Sequence, residues 1–142
     1  CGQGEYSQFE SKINGKKIRI VNTHLDHRSE NSREKSIELI LSKIKNYDNS
    51  IPTIIVGDLN AEPDDPILKK LDAQFEDSYT GPVIEGCTFH KWEGGRHCKR
   101  IDYIFYPKNS GFQLLDSGID RYKKSGRFPS DHFPIFAKFK IN

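Results

Sequence analysis

The sequence predicts a mixed α/β domain, and three neighbouring segments carry that prediction. Thr53–Val56 is a short run of β-branched residues, as in a buried strand. The segment from about Ser32 to Tyr47 has the periodicity of an amphipathic helix, and Lys17–Asn22 before it alternates like a strand. Strand, helix and strand in close succession indicate a crossover unit, or a helix that covers a mixed sheet. The 142 residues amount to one domain.

A hairpin is predicted at the start of the chain. Residues 5–12 are mixed in polarity and predict an edge strand. Asn14-Gly15 follows, the dipeptide most typical of a tight hairpin turn. The strand Lys17–Asn22 returns from this turn and runs into Thr23-His24-Leu25-Asp26-His27. This strand therefore ends in polar and titratable side chains.

The predicted helix has one apolar stripe and its own capping signals. The spacing i, i+3, i+4, i+7 is met by Ile37, Ile40, Leu41 and Ile44. Asn31 is the predicted N-cap, and Glu34 three residues later returns the hydrogen bond.

The strand after this helix ends in Gly57-Asp58-Leu59-Asn60. Asp58 and Asn60 are two residues apart, so both side chains project to one face if the strand continues. A carboxylate beside an amide can bind a hard cation or hold a water, and the amide can donate to an anionic oxygen. An ordinary strand-to-turn transition is the alternative, because Gly, Asp and Asn are all common in turns.

The second half of the chain contains one strand of special interest. Arg100–Tyr106 has apolar residues on both faces, which predicts a central strand and makes the acidic Asp102 within it conspicuous. A loop is predicted for residues 73–87, and Trp92 lies on a Gly-hinged loop. The other predicted elements are a short helix at Asp65–Leu71, short strands at Thr88–His90 and Leu114–Asp116, and a last strand at Phe133–Ile141.

Composition limits the class of protein only loosely. With 22 Lys and Arg against 20 Asp and Glu, the net charge of +2 does not by itself argue for nucleic acid. Basic residues cluster locally in Arg96–Arg100 and in Arg121–Arg127. No apolar run approaches the roughly 18–20 residues of a membrane helix, so a soluble protein is predicted. The compartment stays open, with the cytoplasm favoured. The three cysteines give no disulfide framework; Cys87 and Cys98 could pair, but free thiols are predicted.

Four predicted strand ends carry polar residues that suit one chemistry. They are His24, Asp58 with Asn60, Asp102, and Asp131-His132. Ligand sites in layered α/β domains gather at strand ends, so we expect these residues to converge in one cleft. Carboxylates for a hard metal, imidazoles for acid–base work and an amide for an oxyanion together suit attack on a phosphate ester.

The same strand ends lie in four ordered motifs. They are Asn22-Thr23-His24-Leu25, Gly57-Asp58-Leu59-Asn60, Arg100-Ile101-Asp102-Tyr103-Ile104 and Ser130-Asp131-His132-Phe133-Pro134. In this order they resemble the endonuclease/exonuclease/phosphatase superfamily, which includes pancreatic deoxyribonuclease, deadenylases and inositol-polyphosphate 5-phosphatases. The resemblance implies a two-sheet β-sandwich flanked by helices, as in deoxyribonuclease I. It also implies hydrolysis of phosphate esters with Mg²⁺ or Mn²⁺ as cofactor.

Position within the motifs implies roles for the polar residues. Asp131 would lie at the metal together with Asp58, which would also position or deprotonate the attacking water. His24 and Asn60 would contact phosphate oxygens and take part in catalysis.

A histidine and two further residues complete the implied site. His132 would act as base or phosphate contact, oriented by the carboxylate of Asp102, so it competes with Asp58 for the role of general base. Arg100, beside Asp102, and Trp92, on its Gly-rich loop, are added as candidate substrate contacts. The substrate stays open between nucleic acid, which calls for a basic groove and stacking aromatics, and a phospholipid or inositol phosphate.

Two motifs of the superfamily have no counterpart in this sequence. Members carry an Asn at one early strand end and a metal-binding Glu at the next. We therefore expect residues 1–142 to be the C-terminal portion of a single domain of this superfamily, with the N-terminal half of the same domain as its partner. An enzyme that needs that half for activity is one hypothesis, and a non-catalytic binding or assembly half is the alternative.

Overall fold

The computed structural model describes residues 5–13, 15–48, 50–95 and 97–141. Asn14 of the predicted hairpin turn and Arg96 of a predicted basic cluster lie outside the described residues. The helices and strands, in chain order, are β1 Glu5–Ile13, β2 Lys16–His24, α1 Glu30–Lys45, β3 Thr53–Asp58, α2 Pro66–Asp72, β4 Phe75–Asp77, β5 Asp102–Pro107, β6 Phe112–Ile119 and β7 Ile135–Ile141, with a 3₁₀ turn at Val83–Glu85.

A five-stranded sheet in the order β1-β2-β3-β5-β4 carries most of the fold. β1 and β2 are antiparallel with Ile13 opposite Lys16, so the predicted hairpin is confirmed. β2 and β3 are parallel, as the crossover through α1 requires. β5 lies between β3 and β4, which confirms it as an interior strand. β6 and β7 pair in a second sheet, so the predicted mixed α/β fold with two sheets is confirmed.

The N-cap of α1 lies two residues before the predicted one. Ser29 has an extended backbone at φ −117° and ψ 110°, and its Oγ accepts a hydrogen bond from Ser32 N at 3.2 Å. Asn31, the predicted cap, lies inside the first turn. The sequence does not separate the two, because Ser and Asn are equally good caps and both precede the apolar stripe. No helix in the described part of the chain has the length and apolarity needed to cross a membrane.

Two predictions in the second half are wrong in part. The predicted loop 73–87 contains β4, because Phe75 is 3% exposed and packs into the core. The predicted strand Thr88–His90 is reduced to isolated bridges made by Phe89.

Cys87 and Cys98 form a disulfide, with their Cα atoms 5.3 Å apart, so the prediction of free thiols is wrong. Phe89 and Lys99 explain the pairing. The backbone N–H of Phe89 donates to Lys99 O at 2.9 Å, and this antiparallel contact brings the flanking cysteines within bonding reach. The spacing of the cysteines in the sequence does not show that contact.

One face of the five-stranded sheet, which we call the helix face, is covered by α1 and α2. Val21, Ile55 and Tyr103 point to it and are at most 1% exposed. They belong to one apolar cluster with Ile37 of α1 and Leu71 of α2. Full burial of an aliphatic or aromatic side chain contributes about 1.5–3 kcal/mol. The helix face is therefore a main source of stability.

The opposite face of the sheet, which we call the open face, is covered only in part. Val56 and Ile104 alternate with the buried set and are half-buried on this face. The ring centroids of Tyr106 and Phe139 lie 5.1 Å apart, where β7 meets β5. Towards the sheet edge, Phe9 is 52% exposed. The polar strand ends described next lie at one end of this open face.

Candidate active site

The parallel pairing of β2 and β3 sets two titratable side chains next to each other. His24 and Asp58 are partners in the register, and His24 Nε2 lies 3.5 Å from Asp58 Oδ2. Gly57 permits this approach of the strands. It has φ +134°, and a Cβ built on it would lie 1.9 Å from Thr23 O, so the position admits no side chain without a shift of backbone. The site therefore begins with a backbone contact that requires glycine.

The turn after β3 links Asp58 to Asn60. The strand ends at Asp58, and Asn60 has a left-handed backbone at φ +49°, so the condition for both side chains to project from one strand face is not met, and the alternative of a strand-to-turn transition describes the backbone. A turn joins them instead, in which Asn60 N–H donates to Asp58 Oδ1 at 2.8 Å. Asn60 Nδ2 donates to Leu25 O at 2.8 Å. Among the described residues, this bond commits one of the two side-chain N–H groups and fixes the amide.

Asp102 lies opposite Asp58 in the antiparallel register of β3 and β5. His132 Nδ1 lies 2.8 Å from Asp102 Oδ2, so the carboxylate fixes the orientation of the ring. The loop that carries His132 is held by Ser130 Oγ, which accepts from His132 N at 3.1 Å. The structure thus brings together a carboxylate–imidazole pair from β5 and from the loop before β7.

Thr88 and Phe89 support this pair, and the sequence analysis gave neither of them a role. Thr88 Oγ1 accepts from the backbone N–H groups of Ile101 and Asp102 at 3.0 and 3.1 Å, which fixes the start of β5. The ring centroid of Phe89 lies 4.8 Å from that of His132. Nothing in the sequence connects a threonine and a phenylalanine so far upstream with β5.

Partial burial and close charges determine the electrostatics of the cluster. Burial raises the pKa of the Asp58 carboxyl above its usual value, the hydrogen bond from Asn60 N–H opposes the rise, and the charge of Asp102 adds to it. The hydrogen bond to Asp102 raises the pKa of His132, although burial opposes this rise. The imidazolium form of His132 is therefore favoured beside the two carboxylates.

Asp58, Asp102 and His132 form a group that can hold a divalent cation. One ligand atom from each residue lies within 4.8 Å of the other two. Burial is the main cause of the raised pKa of Asp58, and the like charge of Asp102 adds to it; a cation between the two carboxylates would offset both effects. Mg²⁺ prefers oxygen donors and commonly takes only one or two carboxylates from a protein. The donor set therefore fits the cofactor implied by the resemblance.

Two other predicted site residues have different surroundings. Asp131 precedes His132 in the chain but is not a member of the group of three, and its Oδ1 accepts from Ser130 Oγ at 3.4 Å. Trp92 is 57% exposed on its loop. The structure therefore places Asp131 beside the cluster and Trp92 on the protein surface.

The side chain of Arg100, a predicted substrate contact, is mostly buried and packs against other residues of the protein. Its guanidinium forms an ion pair with Asp77 and lies 4.7 and 4.6 Å from the ring centroids of Tyr79 and Tyr103. Only 11% of the side chain is exposed. Arg100 therefore stabilises the chain before β5, and we leave it out of the functional proposal. In the sequence, a basic residue beside a motif carboxylate looks the same whether it binds a ligand or packs inward.

A pocket of about 580 Å³ opens beside the cluster. Asn60 and Phe89 line it, and Arg33, Lys91 and Lys99 add positive charge. Acidic residues near α2 also contribute to the lining, so the pocket has mixed charge. Its volume is sufficient for a phosphate group and part of a leaving group.

His90 is fully buried close to the loop that carries His132. Its ring stacks on Phe133 with centroids 3.9 Å apart, and its Nδ1 accepts from Gly94 N at 3.4 Å. Burial lowers the pKa of His90, so the neutral ring is favoured. Because His90 N also donates to Asp131 O at 2.9 Å, this residue joins two loops at the site.

The two-sheet fold, with carboxylates and imidazoles at the strand ends, defines a deoxyribonuclease-I-like class of protein. The sequence profile of the Endonuclease/Exonuclease/phosphatase family matches residues 4–132, and the chain belongs to this family. Nocturnin from Rattus norvegicus is 28% identical in an alignment of 162 residues. The alignment covers 94% of this chain and 36% of that protein.

Solved structures share the fold. A functionally unknown conserved protein from Enterococcus faecalis V583 superposes with a TM-score of 0.83 at 27% identity, over 98% of this chain and 56% of that chain. The human nocturnin catalytic domain with bound sulfate anion gives a TM-score of 0.73 at 25% identity, over 98% of this chain and 53% of that chain. The chain therefore spans about half the length of these structures and about a third of the curated relative.

Proposed function

We propose that this chain carries catalytic residues of a metal-dependent phosphoester hydrolase of the phosphodiesterase or nuclease-like kind. The observation that carries the proposal is the group formed by Asp58, Asp102 and His132, whose ligand atoms lie within 4.8 Å of one another. Membership of a family named for nucleases and phosphatases supports this reaction class. A group of two carboxylates and an imidazole beside a pocket suits a charged phosphate ester.

Asp58 and Asp102 would hold a Mg²⁺ or Mn²⁺ ion, with Asp131 as a further candidate ligand from the adjacent loop. When bound, such an ion neutralises charge on the phosphate and lowers the pKa of a water molecule. The raised pKa of Asp58 supports this assignment, because a half-buried carboxylate next to a second one is stabilised by a cation.

Asp102 would orient His132 for proton transfer or phosphate contact. A proton on His132 Nδ1, shared with Asp102 Oδ2 at 2.8 Å, leaves Nε2 for a water or a phosphate oxygen. Asp58 is the second candidate for the general base. Its raised pKa makes it a better proton acceptor than an ordinary surface carboxylate.

His24 and Asn60 would contact the phosphate oxygens. The His24 side chain is 59% exposed, and its Nε2 lies 3.5 Å from Asp58, so it is open to solvent beside the cluster. The amide of Asn60 is fixed by Leu25 and lines the adjoining pocket.

The adjoining pocket would take the leaving group. Phe89 offers a ring face next to His132, and Lys91 offers positive charge. A stacking ring beside a cation favours a nucleotide over an inositol phosphate, which lacks a planar ring to stack.

We also propose that residues 1–142 form the C-terminal portion of a larger domain, whose N-terminal half completes the site. Phe9 and Ile13 are 52% and 49% exposed, and Val56 and Ile104 on the open face are only half-buried. Apolar surface of this kind usually lies against another part of a protein. The share of about half that the chain covers in solved structures supports the same proposal.

The test is hydrolysis of bis-p-nitrophenyl phosphate by the protein as encoded in its gene. We expect turnover that requires Mg²⁺ or Mn²⁺ and that is lost in Asp58→Asn and in His132→Gln. Asp72→Asn, at an exposed carboxylate on α2, is the control and should leave the rate unchanged. Turnover that survives EDTA would remove the metal from the mechanism, and turnover that survives both site substitutions would remove the proposed site.

A further inference from the structure

Two exposed loops near the site combine cations with exposed aromatic rings. The first, Asp120–Arg127, holds four basic residues and one acid. Lys124 and Arg127 pair through backbone hydrogen bonds of 3.0 and 2.9 Å around Ser125 and Gly126, both of which have positive φ. This is a tight hairpin with two residues in its loop, so the side chains of Lys124 and Arg127 are held next to each other.

The base of this hairpin is anchored to the protein. Arg121 donates to Glu85 O at 2.6 Å, and its guanidinium lies 5.5 Å from the ring centroid of Phe133. Arg121 therefore fixes the loop, and the cations beyond it are presented on a defined support.

Three cations of the loop Asp120–Arg127 have no partner of opposite charge within the described part of the chain. Lys123, Lys124 and Arg127 are exposed, and none forms an ion pair with any residue that the structure describes. By contrast, Lys70 and Lys99 on other surfaces pair with glutamates at 2.7 Å. Like charges held close together repel each other, and a ligand with several negative charges would relieve that repulsion.

The second loop, Lys91–Gly95, presents the single tryptophan of the chain. Trp92 is 57% exposed and has φ +68°, and Tyr122 in the basic loop is equally exposed at 57%. Phe128 joins the two loops, because a Cβ built on Gly94 would lie only 2.9 Å from Phe128 Cζ. We call the exposed aromatic residues and the cations other than Arg121 in the two loops the basic–aromatic surface: Lys91, Trp92, Tyr122, Lys123, Lys124 and Arg127. The exposed acids Asp120 and Glu93 lie in the same loops.

The basic–aromatic surface continues into the candidate active site. Lys91 Nζ lies 5.9 Å from the ring centroid of Phe89, and that ring packs on His132 at 4.8 Å. His90, in the same segment, donates its backbone N–H to Asp131 O at 2.9 Å. A chain-like ligand with a phosphate at His132 would therefore lead past Phe89 and Lys91 to this surface.

We propose that the basic–aromatic surface binds a single strand of nucleic acid beside the phosphate under attack, an inference that rests on the proposed function. Bases stack on Trp92 and Tyr122, and phosphates pair with Lys123, Lys124 and Arg127. Every base offers a ring face, so such a surface binds strands of different sequence. A duplex fits less well, because its bases are already stacked on one another.

An anionic lipid surface is the main competing ligand. Val83 and Ile84 are 82% and 92% exposed, and they precede Glu85, whose carbonyl accepts the hydrogen bond from Arg121. These two apolar side chains would insert into a lipid surface, whereas they would make no favourable contact with the phosphates of a nucleic acid. Substitution of the pair therefore distinguishes the two ligands.

The test is the anisotropy of a fluorescein-labelled oligo-dT, titrated in EDTA with the protein as encoded. K123E/K124E/R127E is compared with K35E/K45E/K69E, which changes net charge equally at exposed lysines of α1 and α2. We expect only the first variant to lose affinity, and its slope of log K against log salt to fall by about 2, because each single-strand phosphate contact contributes about 0.7. Trp92→Ala should weaken binding about fivefold to a hundredfold. V83S/I84S should bind like the unmodified protein.

An equal loss in the two charge variants, or unchanged binding by Trp92→Ala, overturns the assignment. Binding to phosphatidylserine vesicles that exceeds binding to oligo-dT and is lost in V83S/I84S would assign the surface to a membrane. Because EDTA prevents metal-dependent hydrolysis, these outcomes do not depend on the proposed function. The bis-p-nitrophenyl phosphate assay decides that function separately.

Discussion

The two faces of the five-stranded sheet are built from the same strands and differ in almost every property. On the helix face, Val21 and Ile55 are 0% exposed and pack against two helices. On the open face, neighbours of these residues in the same strands, His24 and Asp58, lie 3.5 Å apart in partial contact with solvent. Alternation along a strand thus separates residues that stabilise the fold from residues that carry chemistry.

The comparison also explains why the polar cluster is tolerated. Asp58 is partly buried, and this burial raises the pKa of its carboxyl and so disfavours its charge. The helix face supplies the stability that offsets such a placement, since each fully buried apolar side chain contributes about 1.5–3 kcal/mol. Substitutions on the two faces should therefore have different consequences.

The largest effect is expected for Asp102→Asn on the open face. The amide keeps the shape of the side chain but removes the negative charge, which orients His132 and raises its pKa. In the protein as encoded, we expect the rate of phosphodiester hydrolysis to fall by about tenfold to ten-thousandfold, as for other histidines oriented by a carboxylate. Asp116→Asn, at an exposed residue of β6, is the matched control. A rate near that of the unmodified protein would give Asp102 a structural role only.

A pair of isoleucines compares the stability of the two faces directly. Ile55 is 0% exposed on the helix face, and Ile104 is half-buried on the open face. Ile55→Ala should lower the free energy of unfolding by about 2–5 kcal/mol. Ile104→Ala should lower it by less than half as much. Urea denaturation of both variants measures the difference, and equal losses would contradict the distinction between the faces.

A smaller effect concerns pH and the buried His90. Burial lowers its pKa in the folded protein, so the unfolded chain binds the proton more readily. The contribution of neutral His90 to the free energy of unfolding is therefore fully present above the unfolded pKa of about 6.5, and it is lost as the pH falls through the folded pKa. His90→Phe keeps a ring against Phe133 and removes the titrating group. Urea midpoints at a series of pH values should show a shallower acid loss in this variant, and an unchanged slope would argue against the burial effect.

The sequence predicted the framework because its signals are local. The β-branched run at Thr53–Val56, the helical stripe around Ile37 and the turn signal before Lys16 each depend on residues close together in the chain. Their arrangement as a parallel crossover then follows from the handedness and length of the connection. The family resemblance added the two-sheet class, which no single segment shows.

The sequence could not show features that depend on contacts between distant segments. Arg100 pairs with Asp77, and Thr88 fixes the start of β5, because a loop folds back on that strand. The same fold joins Cys87 to Cys98. At Asn60 the limit was different: β3 ends at Asp58, two residues before Asn60, and the backbone of Asn60 is left-handed, so the two side chains do not share a strand face.

The most direct test of the central claim, that the open face holds a divalent cation at Asp58 and Asp102, is the broadening of backbone amide NMR signals by a small amount of Mn²⁺. Paramagnetic broadening falls steeply with distance, so it locates even a weak site. We expect the signals of Asp58, Asp102 and His132 to broaden first, the effect to be reversed by excess Mg²⁺, and Asp58→Asn to abolish it. Broadening centred on the acidic pair Asp64-Asp65, and unchanged in Asp58→Asn, would contradict the claim.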